Sequence, residues 1–368
     1  MIPGPVEIPN DILEAFDGQS PVHYGADYAA MYIDLSKKIS KIFSTAEPSF
    51  LIPGSGSLGL ETAAASICQG KKCLILENGW FGERLRSILS RYSSESFTVS
   101  FDKFMDLNLL EKEIIKIRPQ IVALTHVETS TGVLNRIREV SQIARKVDAM
   151  VLVDAISSAC LEELSIEPMG IDVVITASQK GFESPPGLAI VSLSGHADRA
   201  LPKADEGHSW YTNLGVWKRF YEDWRDWHPF PVTLPTNIVS ALRESVNVID
   251  RQGLGNRLRE VEETSEKFRR AMNMLGLINY VQEGYAHGIT SVRIPESAEL
   301  DIVSYLYERF DIRIAGSLGK MKGKIFRVSH MSRPQRERSN LIKLVRAISS
   351  WLEDSGISAD SESAVETL

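Results

Sequence analysis

The sequence predicts an α/β protein, a mostly parallel sheet of seven strands covered by helices, followed by a smaller C-terminal α+β domain. Three observations carry this reading. Short β-branched, apolar runs recur along the first half of the chain, and amphipathic stretches of helical period fall between several of them. After Gly253 and Gly255 the pattern changes to shorter strands mixed with longer helices. A chain of 368 residues, 43% hydrophobic and 24% charged, has room for about two such domains.

Residues 1–20 read as an extended, proline-bearing arm with a short helical stretch, PNDILEAF. Leu35, Ile39, Ile42 and Phe43 then share helical spacing. Strands are expected at 49–53, 73–77, 97–101, 120–126, 150–154, 173–177 and 188–193, within a large domain taken as 21–255. Helical patterns lie between several of them, at 84–92, 107–117 and 136–146. Aromatic side chains crowd the segment from His208 to Pro235, among them Trp210, Trp217, Tyr221, Trp224, Trp227 and Phe230. They read either as a satellite core under a long loop or as a subunit interface or active-site wall. A helix at 237–250 and a long charged helix at 257–275 follow. Strands at 290–294, 312–315 and 325–328, with helices at 300–310 and 337–354, complete a small domain taken as 256–354. The acidic, serine-rich tail 355–368 is expected to be disordered.

Composition narrows the function classes. Net charge is -7 and no basic tract stands out, which argues against a nucleic-acid partner. Cys68, Cys73 and Cys160 form no CxxC pair and read as reduced core residues of a cytoplasmic protein. The opening MIPGPVEIPND lacks the basic end and apolar core of a signal peptide, and no apolar run approaches membrane-spanning length. The histidines show no metal-ligand spacing.

Chemistry concentrates where strands end. The run AMVLVD closes on Asp154. The next strand closes on Ala177, Ser178 and Gln179, then presents Lys180 ahead of a rigid turn, FESPPG. Lysines are mostly exposed, so one alone reads as a solvated strand end. An acid and a lysine at the ends of two successive strands suit pyridoxal phosphate instead. The lysine amine condenses with the cofactor aldehyde, and the acid keeps the pyridine nitrogen protonated. Pro53-Gly54-Ser55-Gly56-Ser57 opens a helix after the first strand, so its hydroxyls and backbone N–H groups form a candidate phosphate site. It matches neither a Walker loop nor GxGxxG, which argues against a nucleotide.

Three further stretches belong to the same set. NGWFG places Phe81 either over a cofactor ring or in the core. THVETSTG offers hydroxyls near the cofactor or simply a self-capped loop. Arg327, between Phe326 and Val328, is either an internal ion-pair partner or a fork for a substrate carboxylate.

These stretches resemble the class V, fold-type I aminotransferases of the alanine–glyoxylate and serine–pyruvate group. The resemblance runs from the PGP at Pro3 to the C-terminal helix, through GSGSLGLETA, NGWFGER, THVETSTGVL, VLVDAISS, SQKGFESPPG, LPTNIVSALRES and IFRVSHM. It implies Lys180 as the cofactor lysine and Asp154 as partner of the pyridine nitrogen. It implies Ser55, Gly56, Ser57 and Gln179 around the phosphate, Phe81 on the ring and Thr129 near the phenolic oxygen. Thr233 would reach the phosphate of a neighbouring subunit, in a homodimer with its sites at the interface, and Arg327 would hold the substrate carboxylate. The implied reaction moves an amino group from a small amino acid (alanine or serine) to a 2-oxo acid (glyoxylate or pyruvate). Pyridoxamine–pyruvate aminotransferases and aminoethylphosphonate transaminases or lyases are the rivals. The chain departs from the group at Phe230, where a tyrosine usually bonds the neighbour's phosphate. It departs again at His23-Tyr24, where His-Arg is usual, and at Phe81, where tryptophan or tyrosine is common.

Overall fold

Strands covered on both faces need apolar side chains on both faces, and the uninterrupted apolar runs supply them. The computed structural model describes residues 1–207 and 209–368, so His208, which opens the aromatic segment, lies outside the described residues. The runs form β1 Phe50–Pro53, β2 Lys72–Glu77, β3 Glu95–Ser100, β4 Ile121–Thr125, β5 Met150–Asp154, β6 Val173–Ala177 and β7 Leu188–Leu193. They make one seven-stranded sheet in the order β1-β7-β6-β5-β4-β2-β3. β6, β5, β4, β2 and β3 are parallel neighbours, and β7 runs antiparallel to both β1 and β6. β4, β6 and β7 are buried along their whole length, whereas the edge strand β3 alternates with solvent. Thr125 pairs with Asp154 and Asp154 with Ile175, so the register aligns the carboxyl ends of β4, β5 and β6.

The smaller lobe has its own antiparallel sheet, β8 Ile289–Arg293, β9 Ala315–Gly316 and β10 Ile325–Ser329, in the order β8-β10-β9. Phe268, Phe326, Val328, Leu344 and Trp351 are at the centre of its apolar core, and the helices Leu254–Met274 and Arg338–Asp354 cover the sheet. Gly253, at φ 81°, ends the helix Thr236–Gln252 and starts Leu254–Met274. That left-handed conformation favours glycine. The long helix therefore begins three residues before the expected position, and Gly255 lies inside it. No helix among the described residues is long and apolar enough to cross a membrane.

Three local expectations change. The aromatic segment contains a helix, Leu214–Asp223, whose Trp217 and Tyr221 face the core while Trp224 and Trp227 remain 47% and 49% exposed. The buried aromatics thus join the main apolar core rather than a satellite one, and none of the segment's aromatics among the described residues lines the cavity described below. A hairpin of Val127–Glu128 with Val133–Leu134 follows β4. Two residues per strand are too few to show alternation in the sequence.

The tail is also ordered. Asp360 accepts a hydrogen bond from the Ser363 amide and caps a helix, Ser361–Glu366. Ala364, Val365 and Leu368 enter the small-lobe core. Acidic and serine-rich composition masked these apolar residues at helical spacing. Burying a Val and a Leu side chain stabilises by about 1.5–3 kcal/mol each. Deleting residues 359–368 should therefore lower stability by about 3–6 kcal/mol, seen as a lower denaturant midpoint. An unchanged midpoint would mean that the tail contributes no net stability.

Candidate active site

The aligned strand ends open onto a cavity of about 290 Å³. Eight expected residues line it: Ser55, Gly56, Ser57, Phe81, Thr129, Asp154, Gln179 and Lys180. The walls also include Gly4, Arg84 and Ser157, which the sequence reading did not single out. Each was nevertheless inside a quoted motif, PGP, NGWFGER or VLVDAISS.

Asp154 leaves β5 buried, with Oδ1 accepting from the Ile156 amide at 3.0 Å. Burial raises its pKa to about 6. Lys180 follows β6, and its amine donates to the carbonyl of Pro3 in the N-terminal arm. Burial and then the Arg327 charge lower its pKa to about 8, against the opposing pull of Asp154. Gly4, at φ 127°, has a backbone conformation that disfavours a side chain, and a Cβ there would also press on Lys180 Cε at 2.5 Å.

The residues at the start of helix Gly56–Ala63 offer free donors. Ser55 makes no capping hydrogen bond, so the first N–H groups of the helix point outward without a side-chain partner. A Cβ at Gly56 would meet Ile156 Cδ1 at 2.5 Å, so the backbone itself forms this wall. Gln179 Oε1 is buried without a partner. The Thr129 hydroxyl donates to Ser157 Oγ at 2.5 Å. Opposite, Phe81 carries the Arg84 guanidinium 4.8 Å above its ring centroid. An anion site, a ring-sized wall, a carboxylate and a poorly hydrated amine thus face one space. This donor set fits pyridoxal phosphate.

Arg327 and Thr233 do not line the cavity. Arg327, on β10, sits beside it: Nη1 donates to the Thr129 carbonyl at 2.7 Å, while Nε and Nη2 both donate to the Gly316 carbonyl. It is buried and makes no carboxylate contact among the described residues, so the internal ion pair is absent. A guanidinium has five N–H donors, so one on each terminal nitrogen stays free. Thr233 is exposed. Phe230 is fully buried against Tyr32 and His228 within its own chain.

The lysine loop is held from below. The Glu183 amide donates to the Lys180 carbonyl at 2.8 Å, Arg257 Nη2 donates to the Gly181 carbonyl at 2.7 Å, and Ser245 Oγ donates to the Phe182 carbonyl. A Cβ at Gly181 would lie 2.1 Å from the Ala159 carbonyl oxygen. The buried Glu183 carboxylate meets Arg257 at 2.8 Å, Arg333 at 2.9 Å and Arg336 at 3.5 Å, all three from the small-lobe part of the chain. Removing one side of a buried ion pair costs about 3–5 kcal/mol. Glu183→Gln should lower stability by about that amount in a denaturant titration. A loss below about 1 kcal/mol, the range of exposed pairs, would show that water already screens the cluster.

Comparison with known proteins agrees with this geometry. The family Aminotransferase class-V matches residues 92–335. An uncharacterized aminotransferase of Methanocaldococcus jannaschii is 31% identical over 338 residues, spanning 90% of this chain and 87% of that protein. The L-aspartate–glyoxylate aminotransferase of Paracoccus denitrificans is 30% identical, over 90% of this chain and 85% of that protein. The crystal structure of an alanine–glyoxylate aminotransferase from Nostoc superposes with a TM-score of 0.89 at 26% identity, covering 96% of this chain and 94% of that one. A sheet that aligns an acid and a lysine at one buried edge, joined to these matches across most of the chain, places this protein in the class V aminotransferase family.

Proposed function

We propose that the protein is a pyridoxal-phosphate-dependent aminotransferase that transfers an amino group from a small amino acid, alanine or serine, to a 2-oxo acid. Glyoxylate is the favoured acceptor, because the Paracoccus and Nostoc relatives both carry it in their names while their donors differ. The observation that carries the reading is the convergence of Lys180, Asp154 and the helix start at Ser55–Ser57 on one cavity.

When bound, the cofactor supplies an electron-accepting ring that acidifies the Cα–H of the substrate. The helix start, Ser55, Ser57 and Gln179 would hold its phosphate, Phe81 would cover its ring, and Thr129 would serve its phenolic oxygen. Asp154 would stay ionised as partner of the ring nitrogen, since a positive partner stabilises its charged form. Lys180 is the general base and acid: its amine takes the α-proton from the substrate and holds it for return. A pKa of about 8 leaves roughly a tenth of that amine unprotonated at pH 7, far more than an ordinary lysine would have. Arg327 turns its two free N–H groups to the substrate carboxylate. The free donors around the phosphate cradle favour a retained phosphate-bearing cofactor over pyridoxamine as a substrate. In a homodimer, the exposed Thr233 would serve the partner's phosphate.

The direct test is borohydride reduction after incubation with pyridoxal phosphate, followed by peptide mapping. The cofactor should be found on Lys180, and its recovery on another lysine would sink the assignment. Only the free amine condenses, so the attachment rate should rise with pH and level off above about 8. An unperturbed lysine would instead level off above about 10.4.

Arg327→Lys tests the carboxylate site. A hydrogen bond to a charged group contributes about 1.5–3 kcal/mol, so the KM of both amino and oxo substrates should rise about ten- to a hundredfold. An unchanged KM for either substrate would remove Arg327 from the site, because one carboxylate site serves both half-reactions.

A further inference from the structure

Glu128 is a fully buried carboxylate in the hairpin after β4, and the reaction outlined above gives it no part. Its surroundings consist of donors. Oε2 accepts from the amides of Phe81 at 3.1 Å and Gly82 at 2.9 Å. Oε1 accepts from the Ser130 amide at 3.0 Å and the Ser130 hydroxyl at 2.5 Å. Ser130 Oγ in turn accepts from the Trp80 amide at 3.2 Å. The first three amides of helix Trp80–Leu89 are therefore capped by a hairpin more than forty residues away in sequence. A free helix start would be solvated by water or by its own N-cap side chain. Here the N-cap is Gly79, where a Cβ would strike Glu128 Cδ at 2.6 Å.

Both ends of this clamp reach the cavity. Phe81 and Arg84 are on the helix that Glu128 caps, and both line the cavity. Thr129 is the next residue in the hairpin. Its hydroxyl meets Ser157, and its carbonyl accepts from Arg327 Nη1 at 2.7 Å. The small lobe closes on the same loop, where Ser317 Oγ donates to the Ser130 carbonyl. Among the described residues no acceptor faces either oxygen of Glu128, so the donor set favours the ionised form. Burial opposes ionisation by raising its pKa, while the surrounding amides and hydroxyl lower it. A charge at a helix start is also favoured by the macrodipole. The charged groups facing this part of the cavity are Asp154, Lys180, Arg84 and Arg327.

We propose that Glu128 is a positioning residue for transamination: its buried carboxylate fixes the Phe81 helix against the Thr129 hairpin, setting the ring wall and Arg327 in one geometry. The proposal rests on the aminotransferase reading, and the test separates the two.

Full-length wild-type protein, Glu128→Gln and Ser130→Ala are each saturated with pyridoxal phosphate and compared. Glutamine keeps the size of glutamate but sets an NH2 group or a single carbonyl against amides that now meet two acceptor oxygens. Visible absorbance should appear in all three, since Lys180 is untouched. In Glu128→Gln the circular dichroism of the bound cofactor should fall by about half, because the ring wall is no longer fixed. Turnover should fall about tenfold, the effect of losing about 1.4 kcal/mol of orientation. The pH midpoint of the visible band should move down by about one unit, since removing a nearby anion weakens proton binding at neighbouring groups. Ser130→Ala should show the same dichroism and turnover changes at smaller size, with the pH midpoint held because the anion remains. Wild-type dichroism, midpoint and turnover in Glu128→Gln would overturn the proposal and leave Glu128 as a packing group. If Glu128→Gln fails to fold, Ser130→Ala decides, and unaltered dichroism there overturns the proposal. Absence of the visible band from wild-type protein would refute the aminotransferase reading itself.

Discussion

Charge held out of water at the carboxyl edge of a parallel sheet is the constraint on which the rest of the structure depends. β4, β5 and β6 end together, and Asp154 and Lys180 extend the last two of them into a space with little solvent. Burial makes the carboxyl a weaker acid and the ammonium a stronger one, so each is displaced toward its neutral form. An exposed lysine at neutral pH is almost entirely protonated. The sheet thus does chemical work on side chains that its strands only position.

Holding such groups in place requires the chain to pin its own backbone. Around Lys180 three successive carbonyls are taken by an amide, a guanidinium and a hydroxyl. Behind them Glu183 gathers three arginines from the small lobe, and Arg333 forks onto Asp11 of the helix Asn10–Phe16. Each lobe has its own main apolar core, and the polar ties between them include the Glu183 cluster behind the lysine and the bonds from Arg327 and Ser317 to the Thr129 hairpin. Apolar packing crosses there as well, since Leu161, which lies against Gly181 of the lysine loop, packs with Val261, Ile289 and Met331 of the small lobe.

Much of this was legible in the sequence. All seven strands of the large sheet could be read from their apolar runs, within about two residues at each end. Lys180, Asp154 and Gly56 could be read because small polar residues interrupt those runs at strand ends. Illegible parts share a physical cause: their meaning is set by a partner distant in sequence. Gly4 looks like part of a proline turn until the lysine against it is seen, and Glu183 looks like a solvated turn residue until Arg257 is. In the tail, three apolar residues were hidden by the acids and serines around them. Arg327 stayed ambiguous for the opposite reason. Pattern places it on a buried strand, and only coordinates show that its partners are carbonyls.

The N-terminal arm adds a constraint in time. Pro3 accepts from the Lys180 amine, and the Met1 carbonyl accepts from the Ser329 amide, so the arm is seated between two segments made much later than itself. At roughly 5–20 residues per second, the ribosome releases Ser329 tens of seconds after the arm has emerged. Until then the arm can dock only on the large lobe, where Pro3 meets Lys180 and the Val6 amide meets the Gln179 carbonyl. The cavity at the strand ends is thus completed late in synthesis. A nascent chain that has finished only its large lobe has Lys180 and Asp154 but neither Arg327 nor the Ser329 amide that holds the start of the arm.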